Sequence, residues 1–133
     1  MMSGAPRVLS IQSHVVSGYV GNKCVVFPLN RLGIECDAVN SVQFSNHTGY
    51  PRFAGRVLDG EGLWELVEGL EANGLLRYTH LLTGYIGSLS LLRTVARVAA
   101  KLREHNPQLV FGERGGRLPL AGAHAVCSPA AEL

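Results

Sequence analysis

Apolar positions along the chain switch between two periods. Short runs of strand formers at residues 7–11, 34–42, 79–83 and 109–111 alternate with stretches where apolar residues recur every three or four positions. The first such stretch, residues 21–32, opens near Asn22 and stops at Gly33, the residue type that suits the left-handed turn after a helix. Pro28 falls inside it and should bend it, because proline lacks an N–H and crowds the carbonyl one turn back. The second helix begins behind Asp59, a good N-cap. It carries Leu63, Leu66, Val67 and Leu70 on one stripe and ends at Gly74. The third is capped by Ser88, turns Leu91, Leu92, Val95, Val98, Ala99 and Leu102 inward, and stops at Asn106-Pro107. Residues 56–58 read as a short strand or a loop edge. Strand and helix alternate throughout. That implies parallel strands with right-handed crossovers, in a three-layer α/β/α Rossmann-like sandwich.

In open α/β sheets, ligands lie beyond the carboxyl ends of the strands. Three loops leave that edge: residues 12–20 after the first strand, the end of 40–50 after the second, and Gly84-Tyr85 after the third. The middle one reads Asn-Ser-Val-Gln-Phe-Ser-Asn-His-Thr-Gly-Tyr. It gathers a phenyl ring, an imidazole, a phenol, amides and hydroxyls. Flat walls with a few donors and acceptors at the ring edge suit a small polar aromatic ligand. The plain alternative is a polar loop that happens to carry aromatics.

That middle segment, with Val39 ahead of it, closely resembles the signature of pyridoxal kinases, the vitamin B6 salvage kinases of the ribokinase-like superfamily. The resemblance extends to residues 7–21 (Arg-Val-Leu-Ser-Ile-Gln-Ser-His-Val-Val-Ser-Gly-Tyr-Val-Gly) and 82–85 (Leu-Thr-Gly-Tyr), and runs from about residue 7 to 110. It implies a ribokinase-type sandwich, represented here by its N-terminal half. It implies ATP-dependent phosphorylation of the 5′-hydroxymethyl of pyridoxal, pyridoxine or pyridoxamine. ATP and Mg²⁺ would be the cofactors of the full-length family, which is homodimeric. By the same resemblance, Ser13, Val20, Phe44, His47, Thr48 and Tyr85 match the positions that hold the pyridine ring. Their chemistry agrees. Ser13 and Thr48 can hydrogen-bond the ring nitrogen or phenolic oxygen. Val20, Phe44 and Tyr85 supply apolar and aromatic surface, and His47 can donate or stack. Leaving such groups unpaired costs about 1–3 kcal/mol each, which favours B6 vitamers over plain apolar rings.

Phosphoryl transfer also needs a nucleotide cleft, oxygen ligands for Mg²⁺, a base for the attacking hydroxyl and N–H donors for the developing charge. The resemblance implies an Asp-Pro-Val segment after the fourth strand and a later Gly-Thr-Gly-Asp motif that supplies the anion hole and the catalytic aspartate. Neither occurs in this sequence, whose only aspartates are Asp37 and Asp59. No catalytic or metal-binding residue is therefore assigned, and ATP and Mg²⁺ are not expected to bind this chain well. From residue 112 onward Gly, Ala, Pro and Arg dominate without helical or strand periodicity. The expected organisation is a family portion at 1–111 followed by a non-family tail at 112–133 without fixed order. The alternative readings are a non-catalytic fragment that binds B6 or dimerises, and an unstable truncated product.

Composition narrows the rest. A chain of 133 residues is one domain by length, and 47% hydrophobic against 17% charged residues reads as globular. The net charge of +2 is small and scattered, so no nucleic-acid or membrane partner is expected. Cys24, Cys36 and Cys127 form no metal spacing and are odd in number, which reads as reduced thiols in the cytoplasm. No signal peptide or membrane span is expected. Glu61, Glu65, Glu68 and Glu71 read as a solvated helix face and Trp64 as a packing residue. A rival reading takes Gly18-x-x-Gly21 as a phosphate turn and Asp37, near the end of the second strand, as a ribose-binding acid. The match is poor, because the glycines come well after the first strand and the full Gly-x-Gly-x-x-Gly is absent. His14 has weaker support than Ser13, and His80, His105 and His124 are given no role.

Overall fold

The computed structural model describes residues 4–86 and 88–113. In chain order these residues form β1 (Arg7–Val15), α1 (Asn22–Arg31), β2 (Glu35–Phe44), β3 (Gly55–Val57), α2 (Gly60–Ala72), β4 (His80–Thr83), α3 (Leu89–His105) and β5 (Val110–Glu113). The strands make one sheet in the order β3-β2-β1-β4-β5. β1, β2, β4 and β5 run parallel, as the alternation implies; β3 pairs antiparallel with the end of β2. The α/β sandwich expected from the sequence is present, with α1 on one face of the sheet and α2 and α3 on the other.

Local signals place the helix ends. The Asp59 carboxylate accepts from the Gly62 amide at 2.8 Å, and the Ser88 hydroxyl from the Leu91 amide at 3.1 Å. Gly33 and Gly74 sit at φ 76° and 65°, the left-handed turns that end α1 and α2. The odd-numbered β1 residues Leu9 and Ile11 join Leu81 and Phe111 against Leu63 and Val67 of α2 and Leu91, Val95, Val98 and Leu102 of α3. Alternation sends Ser10 and Gln12 to the other face, where α1 packs over β1 and β2. Over β4 and β5 that face keeps an apolar crevice of about 260 Å³, bordered by Val8, Leu29, Ile34, Leu82 and Val110.

Four expectations shift. β1 continues to Val15 rather than ending at 11, because its polar residues pair with β2 across a register shift between Gln12 and His14. Leu66 leaves the α2 stripe and is 47% exposed. The buried face of α2 is narrower: Gly60, Leu63 and Val67. The Glu row is not wholly solvated: Glu71 bonds Lys101 of α3 at 2.8 Å, and Glu68 accepts from Trp64 Nε1 at 2.8 Å. Trp64 packs against the core with Arg97 over its ring at 3.9 Å. Finally, Gly112 and Glu113, expected in the tail, are strand residues paired with Leu82 and Thr83. The rest of the expected tail, 114–133, lies outside the described residues.

Asp37 lies at the amino end of β2, not near its carboxyl end, and there it closes the sheet electrostatically. Arg7 Nη2 contacts its carboxylate at 2.9 Å, Tyr78 Oη donates to it at 2.8 Å, and Arg7 Nη1 reaches Glu35 at 3.1 Å. The cluster ties the starts of β1 and β2 to the segment before β4. Asp37 is thereby engaged at the sheet edge opposite to that of a ribose-binding acid. Burial, and then the adjoining Asp37 carboxylate, push the Tyr78 phenol well above its ordinary value of 10.0. Below that value both folded and unfolded chains hold the proton, so the contribution to stability is constant. Above it the unfolded chain ionises first, and stability falls as pH rises. Urea denaturation from pH 9 to 11 should show this loss in the parent and a shallower one in Tyr78→Phe; equal slopes would remove Tyr78 from the account.

Candidate functional site

The carboxyl ends of three strands meet on one edge. β1 and β2 stay paired through Val15 and Phe44, and the Val16 and Ser17 amides then donate to Phe44 O and Ser45 O, each at 2.9 Å. On the other side of β1, the Gly84 amide donates to Ile11 O at 3.0 Å. The loops expected to carry the site therefore leave the sheet side by side.

Ser13 sits half-buried at the register shift of β1, and Val20 half-buried just before α1. Phe44 ends β2 and packs on Phe53, ring centroids 5.1 Å apart and tilted by 51°. His47 is half-buried; its Nδ1 accepts from the Gly49 amide at 3.0 Å, and its ring lies 4.7 Å from that of Tyr50. Because Nδ1 accepts, the neutral imidazole carries its proton on Nε2, leaving that nitrogen as a donor. Thr48 is exposed and Tyr85 is 71% exposed. The six thus share an edge but form an open shelf rather than an enclosed pocket. A cleft of about 600 Å³ lies elsewhere, between α2 and α3 beside Trp64, Thr94 and Arg97.

Several residues absent from the sequence-based set shape this edge. Asn46 Nδ2 donates to His47 O and Arg52 O, both at 3.0 Å, while Ser45 Oγ accepts from the Ala54 amide at 3.1 Å. These bonds close the loop between β2 and β3. Their signal was legible: short polar side chains in a turn bond nearby backbone. Ser10, Gln12 and Asn22 are buried polar residues beneath the loops, and nothing in the periodicity marks them. His14 lies towards α1, with a buried Nδ1 that has no partner, in a cleft of about 380 Å³ shared with Asn22, Lys23 and Asn40. His80 and His105 bond Thr79 and Glu71, away from this edge, and His124 lies outside the described residues. Among the described residues no three His, Cys, Asp or Glu side chains group as metal ligands.

No family model matches the chain. A pyridoxal kinase of Arabidopsis thaliana is 64% identical over 109 residues, covering 82% of this chain and 35% of that protein. The structure of a pyridoxal kinase from Leishmania donovani in complex with ADP and ginkgotoxin superposes with a TM-score of 0.78 at 45% identity, covering 81% of this chain and 39% of that one. The complex of the same enzyme with ADP and pyridoxamine gives a TM-score of 0.77, again at 45% identity. Parallel strands with three convergent loops, matched in this way, define a partial chain of the ribokinase-like α/β fold class. Within that class the chain belongs with the pyridoxal kinases over its matched residues, and it spans 35% of the length of the Arabidopsis relative.

Gly21 is where the loop after β1 meets the site. It has φ 45°, and a Cβ there would lie 2.8 Å from the Ser13 amide nitrogen. Gly21→Ala should cost about 1–3 kcal/mol in urea denaturation, since it adds left-handed strain to a backbone collision. Gly69, inside α2 with open space around it, is the contrast: Gly69→Ala should stabilise by about 0.5–1 kcal/mol. Equal effects of the two would show that the close approach at Gly21 carries no energy.

Proposed function

We propose that this chain carries the vitamer-binding part of a pyridoxal kinase. The observation that carries this is the convergence of three separately spelled loops on one carboxyl edge of a parallel sheet. A neighbour with the same fold holds ADP and pyridoxamine, which supports a B6 vitamer as the ligand. In this reading Phe44, Val20 and Tyr85 flank the pyridine ring. Ser13 and Thr48 hydrogen-bond its nitrogen or phenolic oxygen, and His47 donates from Nε2. The family reaction moves the γ-phosphoryl of ATP, with Mg²⁺, to the 5′-hydroxymethyl. These residues bind and orient the acceptor; none is a base for the hydroxyl or a donor to the transferred group. The same reading makes the protein cytoplasmic and, as the resemblance implies, homodimeric. Among the described residues, no helix is long and apolar enough to cross a membrane.

Two measurements test this. Titration calorimetry with pyridoxal, on material shown to be monodisperse by light scattering, should show binding. Ser13→Ala, Thr48→Ala and Tyr85→Ala should each weaken it about five- to thirty-fold, while His105→Ala leaves it unchanged. A Thr48→Ala protein that binds like the parent would sink the assignment. The second measurement is catalytic. The 133-residue chain lacks the Gly-Thr-Gly-Asp motif and any aspartate after Asp59. A base and an anion hole are each worth on the order of 10²–10³ in rate, so the chain alone should form no pyridoxal 5′-phosphate from ATP. Product formed by a preparation free of host kinase would overturn that expectation.

A further inference from the structure

Buried polar side chains meet directly beneath the three loops. Ser10 and Gln12 face α1 from β1, and Asn22 opens α1; their exposures are 0%, 1% and 3%. The Ser10 hydroxyl donates to Asn22 Oδ1 at 2.7 Å and accepts from Gln12 Nε2 at 2.9 Å. Asn22 Nδ2 lies 2.9 Å from Val39 O, 2.9 Å from Asn40 Oδ1 and 3.2 Å from Gln12 O. Its two hydrogens thus serve three acceptors drawn from both strands.

The placement of Asn22 is unusual for its position. An asparagine at a helix start ordinarily satisfies the free amides of the first turn. Here the N-cap is Gly21 and no side chain caps the helix. The amide is turned into the sheet instead, and the local signal that marks Asn22 as a helix opener conceals what it does. The network also touches every loop. Gln12 precedes Ser13, Asn22 follows Val20 and Gly21, and Asn40 leads along β2 to Phe44 and the loop beyond. A Cβ at Gly84, next to Tyr85, would come within 3.0 Å of Gln12 Cγ and Oε1, so Gln12 braces that turn as well.

We propose that Asn22 is a positioning residue which, with Ser10 and Gln12, holds the three loops in one mutual register. The candidate vitamer-binding side chains then present a single surface. The proposal rests on the B6 reading above for its ligand, but not for its geometry. In a dry interior, polar groups that satisfy one another fix distance and direction more tightly than apolar packing does. A single amide here grips the backbone carbonyls of two neighbouring strands just before their register shifts. Replacing it by a carboxylate of the same shape would set an oxygen against Val39 O and Asn40 Oδ1, converting attraction into repulsion without changing volume.

The test is Asn22→Asp in the full 133-residue chain, read by amide hydrogen exchange and by spectroscopy of bound pyridoxal. Exchange at Val16 and Gly84, whose amides bond Phe44 O and Ile11 O, should accelerate about tenfold or more, while Val95 and Val98 in α3 keep their rates. At saturating pyridoxal, the induced circular dichroism of the ring should change in shape or sign, because the ring is held differently; a loss of occupancy alone would not alter it. Unchanged exchange at Val16 and Gly84 would overturn the proposal. So would acceleration spread equally into α3, or an unaltered induced band at saturation. Should Asn22→Asp fail to fold, Ser10→Ala removes one donor from the same network, and about a threefold acceleration at the same amides is expected. A parent protein that binds no pyridoxal would defeat the B6 reading, while the exchange measurement would still decide the positioning role.

Discussion

Strand β1 is the constraint on which everything else in this molecule depends. It pairs with β2 on one side and β4 on the other, so each neighbouring element is placed by reference to it. Its two faces differ in kind. Leu9 and Ile11 sit in the apolar core under α2 and α3, whereas Ser10 and Gln12 face α1 and bond its first residue. Burying the first face drives collapse without specifying direction. The second face fixes where α1 starts, and so where the loop from 16 to 21 must close.

The two edges of the sheet divide the work. At the amino edge, Arg7, Glu35, Asp37 and Tyr78 form a charged cluster that ties strand starts together. At the carboxyl edge the loops carry hydroxyls, amides, an imidazole and aromatic rings, with candidate binding residues half-buried or exposed. The charged cluster and the candidate binding residues thus lie at opposite ends of the strands. The helices add their own fastening away from both: Lys101 and Glu71 join α3 to α2, and Arg97 covers Trp64.

Much of this was legible in the chain. The helix starts at Asp59 and Ser88 and the stops at Gly33 and Gly74 follow from backbone conformations that only a few residue types favour, and such local preferences survive folding. The three loops and their convergence followed from strand–helix alternation together with motif spelling. Leu66 and the end of β1 were not legible. Leu66 fits an apolar stripe as well as Val67 does; which of them is buried depends on the angle at which α3 crosses α2, and that is not a local property. Polar residues 12–14 read as loop because alternation cannot show that a partner strand and a helix supply their hydrogen bonds.

The sequence by itself determined the class of fold, the family it belongs with and the meeting of three motif-bearing loops at one edge of the sheet. Each of these rests on residue order, local conformational preference and motif spelling. Tertiary structure alone decided that Asp37 closes the amino edge, that Asn22 turns inward instead of capping its helix, and that Gly21 and Gly84 lie against β1. Those roles exist only where segments distant in the chain meet. A buried amide takes its meaning from the acceptors that surround it, and those acceptors are contributed by other strands.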